Sequence, residues 1–191
     1  MGSNWNGPAV PDGGERQNLF ALVIYIPDPL GCFLDDLRRE LVPGCNPHAH
    51  VSVLPPRGLS VPWNTASEQA RALTEVWAPF NLELTSVEVF PATEVIYIEI
   101  GRGAAEMRRL HSAMNSGALD WNEPFVYHPH ITLAQGIPHD RVAELTETAR
   151  RRWAEYRGPR EFRADRAVFV QNAGDNCWVD LAEYSLGAVT V

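Results

Sequence analysis

Residues 127–135 read YHPHITLAQ. Ile131 and Leu133 alternate with His130 and Thr132, and side chains two apart on a strand point to the same face. The segment reads as a short strand that turns its aliphatic residues one way and presents an imidazole beside a hydroxyl on the other. Residues 47–55, PHAHVSVLP, repeat the arrangement with His50 and Ser52. Each strand also carries a histidine two positions earlier, His48 and His128, on the same face.

The spacing outside these strands repeats as well. His50 to His130, Ser52 to Thr132 and Leu82 to Phe162 are each 80 residues. Residues 23–26 and 95–98 both read VIYI, 72 apart, and the missing eight residues fit a longer loop at 115–125. In each half an apolar strand precedes an amphipathic helix, marked by Leu30, Leu34, Leu37 and Leu41 in the first and by Met107, Leu110 and Met114 in the second. The histidine strand follows, then a second helix. That helix carries Ala66, Ala70, Leu73 and Trp77, with a capping box at Thr65 and Glu68, or Val142, Leu145, Ala149 and Trp153. A last strand then slips phase by one residue, the mark of a β-bulge, placed at Thr85–Ser86 in the first half. The expectation is a flexible tail over 1–17 and one domain over 18–191. The domain is built from two βαβαβ halves, 18–93 and 94–186, related by a pseudo-twofold that brings the histidine strands together across a cleft.

A chain of 191 residues can bury a sizeable core. No apolar run approaches the ~18–20 residues of a membrane helix, and no signal peptide opens the chain, so a cytoplasmic monomer is expected. The net charge of −8 argues against coating nucleic acid by phosphate neutralisation. All basic residues are Arg, and seven lie in 150–166. They read as a solvated helix end and strand edge or, alternatively, as a landing strip for an RNA end. Cys32, Cys45 and Cys177 form no CxxC and read as buried packing residues.

HVSV and HITL resemble the paired His-x-Ser/Thr motifs of the two-histidine (2H) phosphoesterase superfamily, which includes the 2′-5′ RNA ligase family and 2′,3′-cyclic nucleotide phosphodiesterases. The resemblance spans about 18–186. It implies His50 and His130 as the catalytic pair, with Ser52 and Thr132 holding the phosphate. It also implies a bilobal α+β fold, each lobe an antiparallel sheet with helices outside, and the cleft between. The implied substrate is an RNA terminus or small nucleotide with a 2′,3′-cyclic phosphate, with no need of metal or cofactor. Family members also run the reverse, 2′-5′ joining reaction; no nucleotide-triphosphate motif supports ATP-driven ligation here.

The residue types suit that chemistry on their own. Opening a cyclic phosphate takes a proton from water and gives one to the departing ribose oxygen. Two imidazoles titrating near ~6.5 can do both, and two hydroxyls can donate to the non-bridging oxygens. Two other readings stay open: a metal-dependent hydrolase or oxygenase using the H-x-H pairs, and a nucleotide- or RNA-binding module without turnover. Arg57, after the first motif, could reach a phosphate or be a surface arginine. His48 and His128 are expected at the cleft rim. Tyr25 and Tyr97 could face the cleft but are expected in core or sheet-surface packing, His111 partly buried and structural, and His139 exposed. Trp63 and Phe125 are candidate base-stacking platforms or loop anchors.

Overall fold

Apolar residues at strand and helix periods set the elements. The computed structural model describes residues 16–174 and 177–187, so the expected tail lies outside the described residues except for Arg16 and Gln17. In chain order the elements are β1 (Phe20–Tyr25), α1 (Leu30–Leu41), β2 (His50–Arg57), α2 (Trp63–Glu75), β3 (Phe80–Val89), β4 (Ile96–Ile100), α3 (Ala104–Met114), β5 (His130–Ala134), α4 (Val142–Glu155), β6 (Glu161–Ala164), β7 (Arg166–Asn172) and β8 (Trp178–Ser185). The fold is α+β, with two four-stranded antiparallel sheets in the orders β2-β1-β7-β8 and β5-β4-β3-β6.

The sheets do not coincide with the sequence halves. The first takes β1 and β2 from the first half and β7 and β8 from the second, while β3 crosses into the other sheet. The helices cross over too: α2 and α3 pack on the first sheet, α1 and α4 on the second. One continuous core, from Leu22 and Leu34 to Ile98, Met107 and Phe169, runs through both. The register of β3 against β6 shows the pseudo-twofold directly. Leu82 pairs with Phe162, its partner 80 residues away, and the same shift carries the pair Asn81–Arg163 onto Glu161–Glu83.

The bulge falls where the phase slip put it. Between Leu84 and Val87 the β3–β4 register jumps, and the Thr85 carbonyl accepts from the Trp153 indole at 2.6 Å. In the second half the slip becomes a break at Asp165, which separates β6 from β7 and sends the chain from one sheet to the other.

Several local expectations change. β2 continues through Pro55 and Pro56 to Arg57; as an edge strand it tolerates residues that cannot donate to a ladder. The helix α2 starts at Trp63, so Thr65 lies inside the first turn and no side chain caps it. The VIYI repeat is not a structural equivalence: Tyr25 lies opposite His50, whereas Glu99 lies opposite His130 and Tyr97 opposite Thr132. A two-residue slip keeps the same face, which is why the sequence conceals it. Cys32 is exposed, on the side of α1 away from its leucines, and Cys45 and Cys177 are half-buried. Of the arginines of 150–166, Arg152 pairs with Glu40, Arg166 with Asp165 and Glu183, and Arg160 lies over the Trp153 ring. Among the described residues no helix is long and apolar enough to cross a membrane.

Candidate active site

Both motif strands are sheet edges, and β2 and β5 lie against one another where the sheets meet. In each, the alternation read from the sequence holds. Val51, Val53, Ile131 and Leu133 are fully buried, while His50, Ser52, His130 and Thr132 are half-buried and line one cleft of about 1090 Å³. A hydrogen bond across the junction, from the Tyr127 hydroxyl to the Ser52 carbonyl at 2.7 Å, ties the second motif's approach to the first motif's backbone.

The two histidines are held identically. Nδ1 of His50 lies 2.7 Å from the His48 carbonyl, and Nδ1 of His130 lies 2.7 Å from the His128 carbonyl. A carbonyl only accepts, so each Nδ1 carries the proton and each Nε2 is left for the cleft. Their surroundings differ. Burial pushes the His50 pKa down to about 4, against the help of its carbonyl bond, and the charges of Arg38, His48 and His130 push the same way. The His130 pKa is also lowered by burial, but Glu99 nearby works against that. The rings of Phe90 and Tyr97 meet His130 edge-on, at 4.9 and 5.4 Å between centroids, and fix its plane.

His48 and His128 also line the cleft, just before the strands begin. His48 stacks on Tyr25 at 3.5 Å, and the Tyr25 hydroxyl donates to Asp180 at 2.6 Å. Nε2 of His128 meets Glu99 at 2.8 Å. In each half, then, the residue opposite the motif histidine steadies the histidine two positions earlier. The packing expectation holds for Tyr97, which is buried against Phe90, and for Tyr25, which packs on the sheet-surface cluster of Ala21, Val23, Val168 and Val170 and also lines the cleft. Among the described residues no three His, Cys, Asp or Glu side chains converge as a metal site.

Arg57 corrects the sequence reading most. It is neither on the surface nor in the cleft, being 1% exposed and outside the lining residues. Its guanidinium forms an ion pair with Glu123 and donates to Asn115 Oδ1 at 2.6 Å and to the carbonyls of Leu119 at 2.9 Å and Pro55 at 3.0 Å. His111, buried as expected, joins the same brace. Its Nδ1 meets the Val53 carbonyl at 2.9 Å, and its ring stacks on Tyr127 at 3.8 Å. His139 is exposed and paired with Glu94. Phe125 lines the cleft and is 65% exposed; Trp63 does not line it, and Trp121 and Trp178 do. Arg38 and Gln135 also face the cleft without having been singled out. Arg38 immediately follows Leu37 of the α1 stripe, a position at the stripe's edge.

Comparison with known proteins agrees with this architecture. A family profile, the 2′-5′ RNA ligase superfamily, matches residues 26–176. Relatives named "Putative phosphoesterase" include one from Oceanobacillus iheyensis, 29% identical over 41% of this chain and 46% of its own, so that this match spans about half of that relative. Others come from Bacillus licheniformis (28%, over 62% and 68%) and Geobacillus kaustophilus (25%, over 66% and 74%). In fold the chain is similar to Escherichia coli LigT crystallised with NADP+ (TM-score 0.62, 17% identity, 91% of this chain and 99% of that one). It is also similar to LigT with 3′-AMP (0.60, 15%, 90% and 99%) and to TT0787 of Thermus thermophilus (0.62, 18%, 88% and 98%). By profile, fold and duplicated motif strands, this chain belongs to the 2′-5′ RNA ligase superfamily of two-histidine phosphoesterases.

Proposed function

We propose that this cleft opens 2′,3′-cyclic phosphates, on small nucleotides or RNA ends, by metal-independent general acid–base catalysis. The observation that carries the reading is the pair of edge-strand imidazoles lining one cleft, each with Nδ1 bound to a carbonyl. In the hydrolytic direction His50, the more strongly depressed of the two, takes a proton from water at Nε2 as that water attacks phosphorus. His130 is the acid: a bound phosphate anion raises its affinity for a proton, which it delivers to the ribose oxygen as the P–O bond breaks. Ser52 and Thr132, two residues along each strand, donate to the non-bridging oxygens, where negative charge collects. With a 5′-hydroxyl in place of water as the nucleophile, the same groups in the same roles form a 2′-5′ linkage; run backwards they exchange roles, re-closing the cyclic phosphate and releasing the 5′-hydroxyl.

The LigT structures hold 3′-AMP and NADP+, which supports a nucleotide as ligand. The test is a panel of 2′,3′-cyclic nucleotides, cyclic-phosphate RNA ends and 2′-5′-linked dinucleotides, assayed with chelator and with product regiochemistry determined. Turnover that survives chelator supports the reading; turnover that requires added metal overturns it.

A further inference from the structure

The leucines of α1 enter the core, and Arg38, at the edge of their stripe, lines the cleft beside His48 and His50. Its Nε is shut off from solvent and has no hydrogen-bond partner. A buried guanidinium N–H without an acceptor is unusual, because such groups are costly to leave unmet. Asp35, one turn earlier, is close enough for its charge to be felt, but its Oδ1 already accepts from the Ala49 amide at 2.7 Å. The charge of Arg38 reaches both His48 and His50, so it sits on the His50 side of the reacting position.

Among the described residues lining the cleft, Arg38 is the one arginine, while Glu123 and Asp180 are acidic. Arg57, the other arginine near the motifs, is sealed behind β2 by Glu123. Much of the remaining lining is apolar: Ala21, Val23, Phe90, Pro91, Val170 and Trp178. A groove that tracks a nucleic-acid backbone needs a row of cations, and this one has a single fork.

We propose that Arg38 turns its guanidinium onto a non-bridging phosphate oxygen of the substrate, which gives the unmet Nε donor an acceptor, and that as the cleft's one guanidinium it limits the substrate to a small molecule presenting a single phosphate. Such a molecule is a cyclic phosphodiester with an aromatic or apolar body resting on the apolar wall, in preference to an RNA strand, whose further phosphates would find no second guanidinium among the described lining residues. This rests on the phosphodiesterase reading above.

The experiment uses the full chain and its Arg38→Gln and Arg38→Lys variants, with matched thermal melts. Binding of adenosine 2′-monophosphate is measured by calorimetry, and hydrolysis is measured for 2′,3′-cyclic AMP and for a hexaribonucleotide ending in the same cyclic phosphate. Arg38→Gln should bind the monophosphate about tenfold or more weaker, the worth of a charge-assisted hydrogen bond, and raise KM more than it lowers kcat. Arg38→Lys, which keeps the charge but loses the planar fork, should fall between; if the Gln variant does not fold, unchanged binding by the Lys variant overturns the assignment. Monophosphate binding unaltered in Arg38→Gln, or absent from the wild type, also overturns it. The wild type should turn over the hexanucleotide no faster than the mononucleotide, with a salt slope near the ~0.7 of one single-strand phosphate. A tenfold preference for the hexanucleotide with a steeper slope overturns the single-phosphate limit. If the wild type hydrolyses neither substrate, the phosphodiesterase reading fails, while the binding arm still decides Arg38.

Discussion

At the scale of the residue, the Nδ1 bonds of His50 and His130 leave each ring one nitrogen for chemistry. Alanine at either should cost roughly 10²–10⁴ in kcat, the usual worth of a general acid or base. Alanine at His48 or His128 should cost much less, because those rings are held by Tyr25 and Glu99. Steady-state assays of the four variants check this, and equal losses at all four would point to a shared metal centre instead. The pH profile follows from the lowered pKa values. The base becomes neutral as pH rises through its pKa, and the acid loses its proton above its own. With His50 at about 4 and His130 also lowered, kcat/KM should peak on the acid side of ~6.5, the ordinary histidine value. An optimum above pH 7.5 would contradict this. The same depression bears on stability: between about pH 4 and 6.5 the unfolded chain binds the proton that folded His50 refuses. Stability should therefore rise with pH through that window, and His50→Gln should flatten the slope measured by denaturant melts. The four motif positions were legible because a period of two fixes which side chains share a face. Arg38 was not, because an arginine at the edge of a helical stripe reads the same whether it meets solvent or a cleft.

At the scale of the element, the loop between α3 and β5 is held to the back of β2 by Arg57, Glu123, His111 and Tyr127. Truncating one partner of a buried ion pair leaves the other uncompensated, which typically costs about 3–5 kcal/mol. Arg57→Met should therefore lower the unfolding free energy by about that much while leaving substrate KM within a factor of about two, since Arg57 does not line the cleft. Denaturant melts with kinetics below the transition check this; a large KM rise at unchanged stability would restore the phosphate-binding reading. The sequence placed Arg57 next to a motif but could not show that Glu123, 66 residues later, neutralises it. The bulge at Thr85–Ser86 was legible because a phase slip is written in the apolar pattern itself.

At the scale of the whole molecule, the halves found in sequence interleave, each sheet and each helix pair drawing on both. Spacing can reveal a repeat but not which sheet a strand joins, since that choice turns on the break at Asp165. Fragments 1–93 and 94–191 should each lack a cooperative melt by circular dichroism, and mixing them should restore one; a fragment that melts cooperatively alone would contradict the interleaving. The arrangement matters because it seats both motif edges on one continuous core. The most direct measurement is a crystal structure with adenosine 2′-monophosphate bound. The expected result is a single phosphate with Nε2 of His50 and Nε2 of His130 each at roughly 2.6–3.2 Å from its oxygens, and the Ser52 and Thr132 hydroxyls on the non-bridging pair. A phosphate touching only one of the two imidazoles, or seated away from both, would contradict the account.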